Sequence, residues 1–243
     1  MNQKDLHNIK KQISKSVIKK FKGKTPTIEA EYSEDYYWIK NHSGIPWLEL
    51  DIKIPTETIY REIKNIEDYF VNHRDELDSK GWQSFCIHGK SYDATREDSY
   101  YGDNRHHEFT KEAMRLMPKT VEFFFTEYPA VNFSRVRVMK LLPGGYILLH
   151  KDGSRRELSP VNIAITQPDD CHFIVEKYGE IPFKPGKSFF LDVSNMHTVV
   201  NYSGVPRYHI IVHADHNDNF KELVVNSYKS LYNKVNEDCN TDS

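Results

Sequence analysis

His150 and Asp152 stand two residues apart in "GGYILLHKDGSRREL" (144–158), directly after five residues that read as a buried strand. An imidazole and a carboxylate so placed can grip one metal ion, or they can be the polar end of a strand turning into solvent. The pair alone decides nothing, because a chain with 12 His yields about one His-x-Asp by chance. This chain has four. His73 and Asp75 fall in a helical pattern, where residues two apart face different sides. His213 with Asp215, and His216 with Asp218, sit at the exit of the last strand and read as solvated loop residues.

His150 and Asp152 differ because their strand delivers them to the edge of a β core, and His197 follows 47 residues later at the start of another short strand. In a jelly roll, strands remote in sequence can bring that third side chain to the same barrel mouth. Two imidazoles and one carboxylate on one face of a metal leave three adjacent positions open. That is the arrangement of non-haem Fe(II) oxygenases, which bind a chelating cosubstrate and then O₂. Arg207 lies ten residues beyond His197 in "HTVVNYSGVPRYHIIV". A tight "SGVP" turn would make the two strands antiparallel neighbours and return Arg207 to the same cavity, where a buried guanidinium needs an anion. The alternative for Arg207 is a surface ion pair.

The elements that must place these residues are legible in outline. The first 24 residues hold eight Lys, with Leu6, Ile9, Ile13, Val17 and Phe21 at helical spacing. They form either a basic contact helix or a peripheral helix docking its stripe on the body. "WLELDIKI" alternates as a half-buried strand, "PTETIYREIKNIEDYFVNHRDELDSKG" (55–81) reads as one helix, and "WQSFCIHG" returns to strand. The polar stretch 90–108 exceeds the usual connection length and suits a binding loop, in which His106 and His107 can reach a substrate or be structural. "FTKEAMRLMPKTVEFFFTEYP" is a second helix with Pro118 as its break. After Pro129 short strands recur at intervals of about ten residues with Pro and Gly turns, the pattern of a sandwich or barrel. A last helix is expected over 219–235, followed by a polar tail.

With 243 residues, the chain reads as one domain, 1–243. Within it, 1–128 supplies supporting helices and strands, 129–216 the β core with the metal site, and 217–243 the closing helix and tail. A net charge of −2 excludes a whole-chain field for nucleic acid or acidic membranes. No apolar run is long enough to span a membrane. Three scattered Cys without a CxxC pair suggest neither a disulfide frame nor a thiolate zinc site, and fit a reducing cytoplasm.

The stretches "MKLLPGGYILLHKDG" and "FFLDVSNMHTVVNYSGVPRYHIIV", about a third of the chain, resemble the Fe(II)/2-oxoglutarate oxygenases, in particular the aspartyl/asparaginyl β-hydroxylase family, which is similar to cis-proline hydroxylases. The resemblance implies a mainly β fold with flanking helices around a double-stranded β-helix (jelly roll, cupin-like) core. It implies His150, Asp152 and His197 as iron ligands, and Arg207 as partner of the distal carboxylate of 2-oxoglutarate. The implied reaction consumes O₂, releases succinate and CO₂, and places a hydroxyl on a C–H of an amino acid or amino-acid residue of Asp/Asn or Pro type. Members often carry Arg-x-His on the strand after the His-x-Asp turn; here Pro160 and Asn162 stand there, and Asn162 is the donor candidate for the cosubstrate. Arg155 and Arg156 are candidates for a substrate carboxylate, or are solvated turn arginines; His107 is a further substrate candidate. Trp82, Tyr146 and Tyr208 can line the pocket or pack the core, Lys151 should point away from the metal, and Asp192 and Ser194 can orient a ligand. The competing reading is a non-catalytic jelly-roll module that binds a small anion through Arg207. A zinc or manganese hydrolase is disfavoured because no general-base Glu lies near the ligand set.

Overall fold

In the computed structural model, which describes residues 1–74, 78–95 and 107–241, the chain opens with helix α1 (Gln3–Phe21). Its stripe docks in part. Val17 and Ile18 are buried against Leu149, Ile174 and Val200, and the Leu149 amide donates to Ser14 Oγ. Leu6, Ile9 and Ile13 stay exposed. None of the described helices is long and apolar enough to cross a membrane.

Helix α2 (Tyr36–His42), strand β1 (Trp47–Leu50) and helix α3 (Thr56–Ile63) follow. The helix expected over 55–81 ends early. It tightens into a 3-10 turn over Lys64–Tyr69, after which strand β2 (Val71–Asn72) pairs with Ser84 and Gln83 of β3 (Ser79–Gly89). Tertiary contacts outweigh helix propensity here. Ile66 is buried in the core with Tyr69 and Phe70 packed against it, and Glu67 engages both Lys140 and the Tyr208 hydroxyl. His73 thus follows a strand, and Asp75 lies outside the described residues.

Strand β4 (Glu108–Phe109) precedes helices α4 (Lys111–Leu116) and α5 (Pro118–Thr126), parted at Met117 as the proline predicts. The first turn of α5 is capped by a remote carboxylate. Glu62, 9% exposed, accepts from the amides of Lys119 and Thr120 at 2.9 and 2.8 Å and from Thr120 Oγ1 at 2.7 Å. An anion there satisfies two orphan N–H groups and meets the positive end of the helix dipole. Glu62→Ala is therefore expected to destabilise the fold by about 2–3 kcal/mol. Urea denaturation checks this; a loss below about 0.5 kcal/mol, the level of an ordinary surface change, contradicts the cap.

The β core contains β5 (Ala130–His150), β6 (Val161–Ala164), β7 (Cys171–Val175), β8 (Gly179–Glu180), β9 (Ser188–Leu191), β10 (His197–Asn201) and β11 (Arg207–His216). Hydrogen bonds join them in the order β1-β9-β6-β11-β5-β10-β7-β8, every pair antiparallel. This is a double-stranded β-helix. Helix α6 (Asp218–Thr241) closes the chain and takes up most of the expected polar tail.

Two expectations change in this core. "PGG" is not a turn between two strands but a corner inside the 21-residue β5. β11 pairs with β5 up to Leu141 and β10 pairs with it from Tyr146. At the corner Gly144 has φ +68°, and a Cβ on Gly145 would sit 2.7 Å from the Leu142 carbonyl oxygen and 2.9 Å from that of Lys80, so only glycine fits. Nor are β10 and β11 neighbours. β5 runs between them, and the 201–207 connection crosses the corner, where Asn201 Nδ2 donates to the carbonyls of Leu141 and Val205. Arg207 reaches the cavity through β5, not by a hairpin with the strand of His197. The corner is the floor of the barrel; His150 and His197 stand at its mouth.

Candidate metal centre

His150 ends β5 and His197 begins β10, and the two are cross-strand partners with ring centroids 4.3 Å apart. Asp152 lies in the turn beyond, its amide donating to the Val193 carbonyl at 2.8 Å. Its Oδ1 is 3.8 Å from His150 Nε2 and its Oδ2 3.9 Å from His197 Nε2. One donor atom from each of the three lies within 4.8 Å of the others. Lys151 is exposed between them, as strand alternation predicts.

Both rings are aimed by backbone. His150 Nδ1 meets the Leu148 carbonyl at 2.7 Å and His197 Nδ1 the Asn195 carbonyl at 2.8 Å. Those bonds place the protons on Nδ1 and leave both Nε2 lone pairs facing Asp152. Asp192 touches neither ring; it accepts from the Ser194 amide at 3.0 Å and so shapes the turn that presents Asn195. Phe173 stacks on the ring of His197 at 5.6 Å. Burial first, and the neighbouring His150 second, push the His197 pKa down to about 4 against the opposing pull of Asp152. The ring is therefore neutral at neutral pH, as a metal donor must be. Two imidazoles, one carboxylate and no thiolate form a set that fits Fe(II).

The same cavity, of about 380 Å³, reaches down to Arg207. Arg207 is 4% exposed and pairs with Leu141 at the corner. Its Nη2 donates to His209 Nδ1 at 2.7 Å and its Nε to Gln167 Oε1 at 3.4 Å, and it lies over the rings of Phe173 and Phe183 at 6.0 and 5.8 Å. No described carboxylate is in ion-pair range of it. Burial pushes its pKa down to about 10, so it remains a cation, and a buried cation among neutral partners is a binding site for an anion. His209 is also buried, and burial first and Arg207 second hold its pKa well below the usual histidine range. Its Nδ1 lone pair accepts the hydrogen bond from Arg207 Nη2, so Nε2–H donates to Gln167 Oε1 at 3.0 Å. Asn162, buried on the cavity wall, lies 2.7 Å from His209 Nδ1.

The remaining candidates divide. Arg155 is on the cavity rim, its side chain 75% exposed and its Nε 3.7 Å from Glu157 Oε2. Arg156 turns away; its Nη2 donates to the Gly44 carbonyl at 3.4 Å and its Nε is 3.8 Å from Asp192 Oδ2. His107 Nδ1 meets the Ser134 carbonyl and is absent from the described cavity lining, while His106 lies outside the described residues. Trp82 lines the cavity, whereas Tyr146 faces α1 beside His7 and Tyr208 is buried in the core.

Sequence reasoning missed His209, Gln167, Phe173, Arg135, Arg137 and His213. His213 is corrected outright. It belongs to β11, not to a solvated loop, and lines the cavity. The available signal was alternation, since Arg207, His209, Ile211 and His213 share one face of a single strand.

The aspartyl/asparaginyl beta-hydroxylase family model matches residues 51–217. No curated protein matches the chain. A Pseudomonas putida prolyl-4-hydroxylase structure aligns at 14% identity over 71% of this chain and 94% of its own, TM-score 0.41. HygX from Streptomyces hygroscopicus with nickel and 2-oxoglutarate bound aligns at 8% identity over 74% and 85%, TM-score 0.46. A 2OG-Fe(II) oxygenase family oxidoreductase from Burkholderia pseudomallei aligns at 12% over 56% and 71%, TM-score 0.38. Overlaps this loose carry no weight beside the family match.

Proposed function

Because this chain belongs to the aspartyl/asparaginyl beta-hydroxylase family and is a 2-oxoglutarate- and Fe(II)-dependent oxygenase, we propose that it hydroxylates a C–H of an amino acid or amino-acid residue of Asp/Asn or Pro type. In this reading His150, Asp152 and His197 hold the iron, and Arg207, with Asn162 beside it, holds the distal carboxylate of 2-oxoglutarate. The observation that supports it is one cavity with a His-Asp-His donor triangle at its mouth and a buried arginine on its floor. Bound Fe(II) supplies O₂ activation coupled to decarboxylation of 2-oxoglutarate to succinate and CO₂.

The chain's own contribution is placement. Carbonyl-tethered rings keep the Nε2 lone pairs inward, so no reorganisation is needed on loading. The guanidinium fork on the floor fixes the direction of a bidentate anion. Phe173, between His197 and Arg207, covers the path joining metal and floor with an apolar face, which keeps water off both. Among the described residues Cys86 and Cys171 are buried free thiols, which suits a domain working in the reducing cytoplasm.

Aerobic incubation with Fe(II) and 2-oxoglutarate tests the reading. Succinate and CO₂ should form one to one, and removing the metal with a chelator should return the rate to the blank. Succinate formation no greater than in the iron-free blank contradicts it.

A further inference from the structure

We infer that helix α1 is the surface by which this protein lies on an anionic lipid bilayer, with Leu6, Ile9 and Ile13 entering the headgroup layer and the lysines around them meeting lipid phosphates. One side of α1 is already committed to the body. Ser14, Val17 and Ile18 are its buried residues, and Val17 and Ile18 pack on Leu149, Ile174 and Val200. The helix is pinned along its length by the Leu149 amide on Ser14 Oγ, by Lys10 on Asp78 at 2.8 Å and by Lys22 on Asp170 at 2.6 Å. At about 100° per residue, its remaining surface divides into two ridges on either side of Gln12 and Ser16. One is Leu6, Ile9 and Ile13, which are 40%, 46% and 45% exposed, and exposed Lys20 prolongs it two turns on. The other is Lys4, Lys15 and Lys19, all exposed and none with a partner among the described residues.

The apolar ridge is not ordinary surface. Leu6, Ile9 and Ile13 are the only leucine or isoleucine side chains exposed among the described residues. One exposed aliphatic residue needs no explanation, but three on one ridge of a docked helix mark a contact surface. Charge says what the surface meets. Residues 1–24 hold eight Lys against one Asp, a surplus of seven positive charges on a chain of net charge −2, which leaves the rest of the chain at −9. Lys10 and Lys22 are answered by carboxylates, and Lys11 lies over the Tyr146 ring at 5.1 Å; Lys4, Lys15, Lys19 and Lys24 have no such partner among the described residues. An anionic bilayer uses the ridge and the free cations together, because long lysine stems reach the phosphates while the aliphatic side chains sink beside them. A nucleic acid would use the lysines and leave the ridge in water. All eight cations are lysine and none is arginine, which suits a diffuse headgroup field better than bidentate reading of a single phosphate. The acidic remainder of the chain is repelled by the same lipid, so the asymmetry also sets which side of the molecule faces the bilayer.

Vesicle cosedimentation of the full chain tests this without reference to turnover. The protein should partition at least about tenfold more strongly onto phosphatidylcholine vesicles carrying about 30% phosphatidylserine than onto phosphatidylcholine alone. Raising the salt from about 0.1 M to about 1 M shortens the screening length from about 10 Å to about 3 Å and should release most of the bound protein. Two triple variants separate the ridges with a residue that keeps helix propensity: Leu6→Gln/Ile9→Gln/Ile13→Gln and Lys4→Gln/Lys15→Gln/Lys19→Gln. Each should bind the phosphatidylserine vesicles at least about tenfold more weakly than the wild type. Both should keep the wild-type urea midpoint and the wild-type rate of succinate formation in free solution, since none of the six residues touches the cavity. Equal partition onto both vesicles, no partition onto either, binding that persists at high salt, or undiminished binding in either variant overturns the inference. So does a two-chain mass in light scattering that falls to one chain in the Leu6/Ile9/Ile13 variant, which would give the ridge to a second copy.

Discussion

His197→Ala should lower turnover by at least about a thousandfold, which is on the order of 4 kcal/mol of transition-state stabilisation. His197 is one of only two imidazoles in the donor triangle, and it is the more deeply enclosed, with its ring under Phe173 and its Nδ1 fixed by the Asn195 carbonyl. Removing it leaves His150 and Asp152, the latter with its side chain 44% exposed, to hold a divalent ion with two donors. Metal content after dialysis should fall in parallel with activity. The fold should not, because the stack with Phe173 is one contact in a core that also contains Ile147, Phe189, Leu191 and Val199. A variant that keeps its iron and at least a tenth of the wild-type rate rejects the ligand assignment.

Arg207→Met should raise the 2-oxoglutarate concentration for half-maximal rate about a hundredfold, with a much smaller change in rate at saturation. The guanidinium is buried on the floor with only neutral hydrogen-bond partners, so its charge is spent on a ligand and not on the fold. A fall of about 3 kcal/mol in binding is the usual range for losing a charge-assisted, two-pronged contact. Methionine fills the volume between Phe173 and Phe183 without the charge. Arg207→Lys should recover only part of the loss, because an ammonium keeps the charge but not the planar fork that His209 and Gln167 align. Saturation kinetics in 2-oxoglutarate check both variants. An unchanged half-saturation concentration in Arg207→Met contradicts the role.

The pieces that sequence reasoning could place are those set by local rules. His150 and Asp152 follow a strand and precede a turn, and His197 opens another strand, so period-two alternation and turn residues were enough to bring them to one edge. Pro118 broke its helix where proline must. What local rules could not supply was register. Whether Arg135 and Arg137 face inward depends on their pairing with His213 and Ile211 some 75 residues later, and in isolation "SRVRVMK" is an ordinary strand with its arginines on either side. The same gap produced the hairpin expected between His197 and Arg207, since nothing in "NYSGVPR" announces that β5 passes between the two strands. The helix over 55–81 failed differently. Its apolar spacing is real, but Glu67 is drawn to Lys140 and Tyr208 on the sheet, a demand visible only in three dimensions. Arg156 shows the limit of reading composition, because a turn arginine beside a cavity can equally face Asp192 and Gly44 on the outside.

The central claim is that two remote strand ends and a turn present one ferrous site above an anion-binding floor. Anaerobic titration of the metal-free protein with Fe(II) in the presence of 2-oxoglutarate tests it most directly. The account predicts the weak visible charge-transfer band of the chelate, saturating at one iron and one 2-oxoglutarate per chain, and its loss in His197→Ala. No band in the wild type, or the same band in His197→Ala, would contradict it.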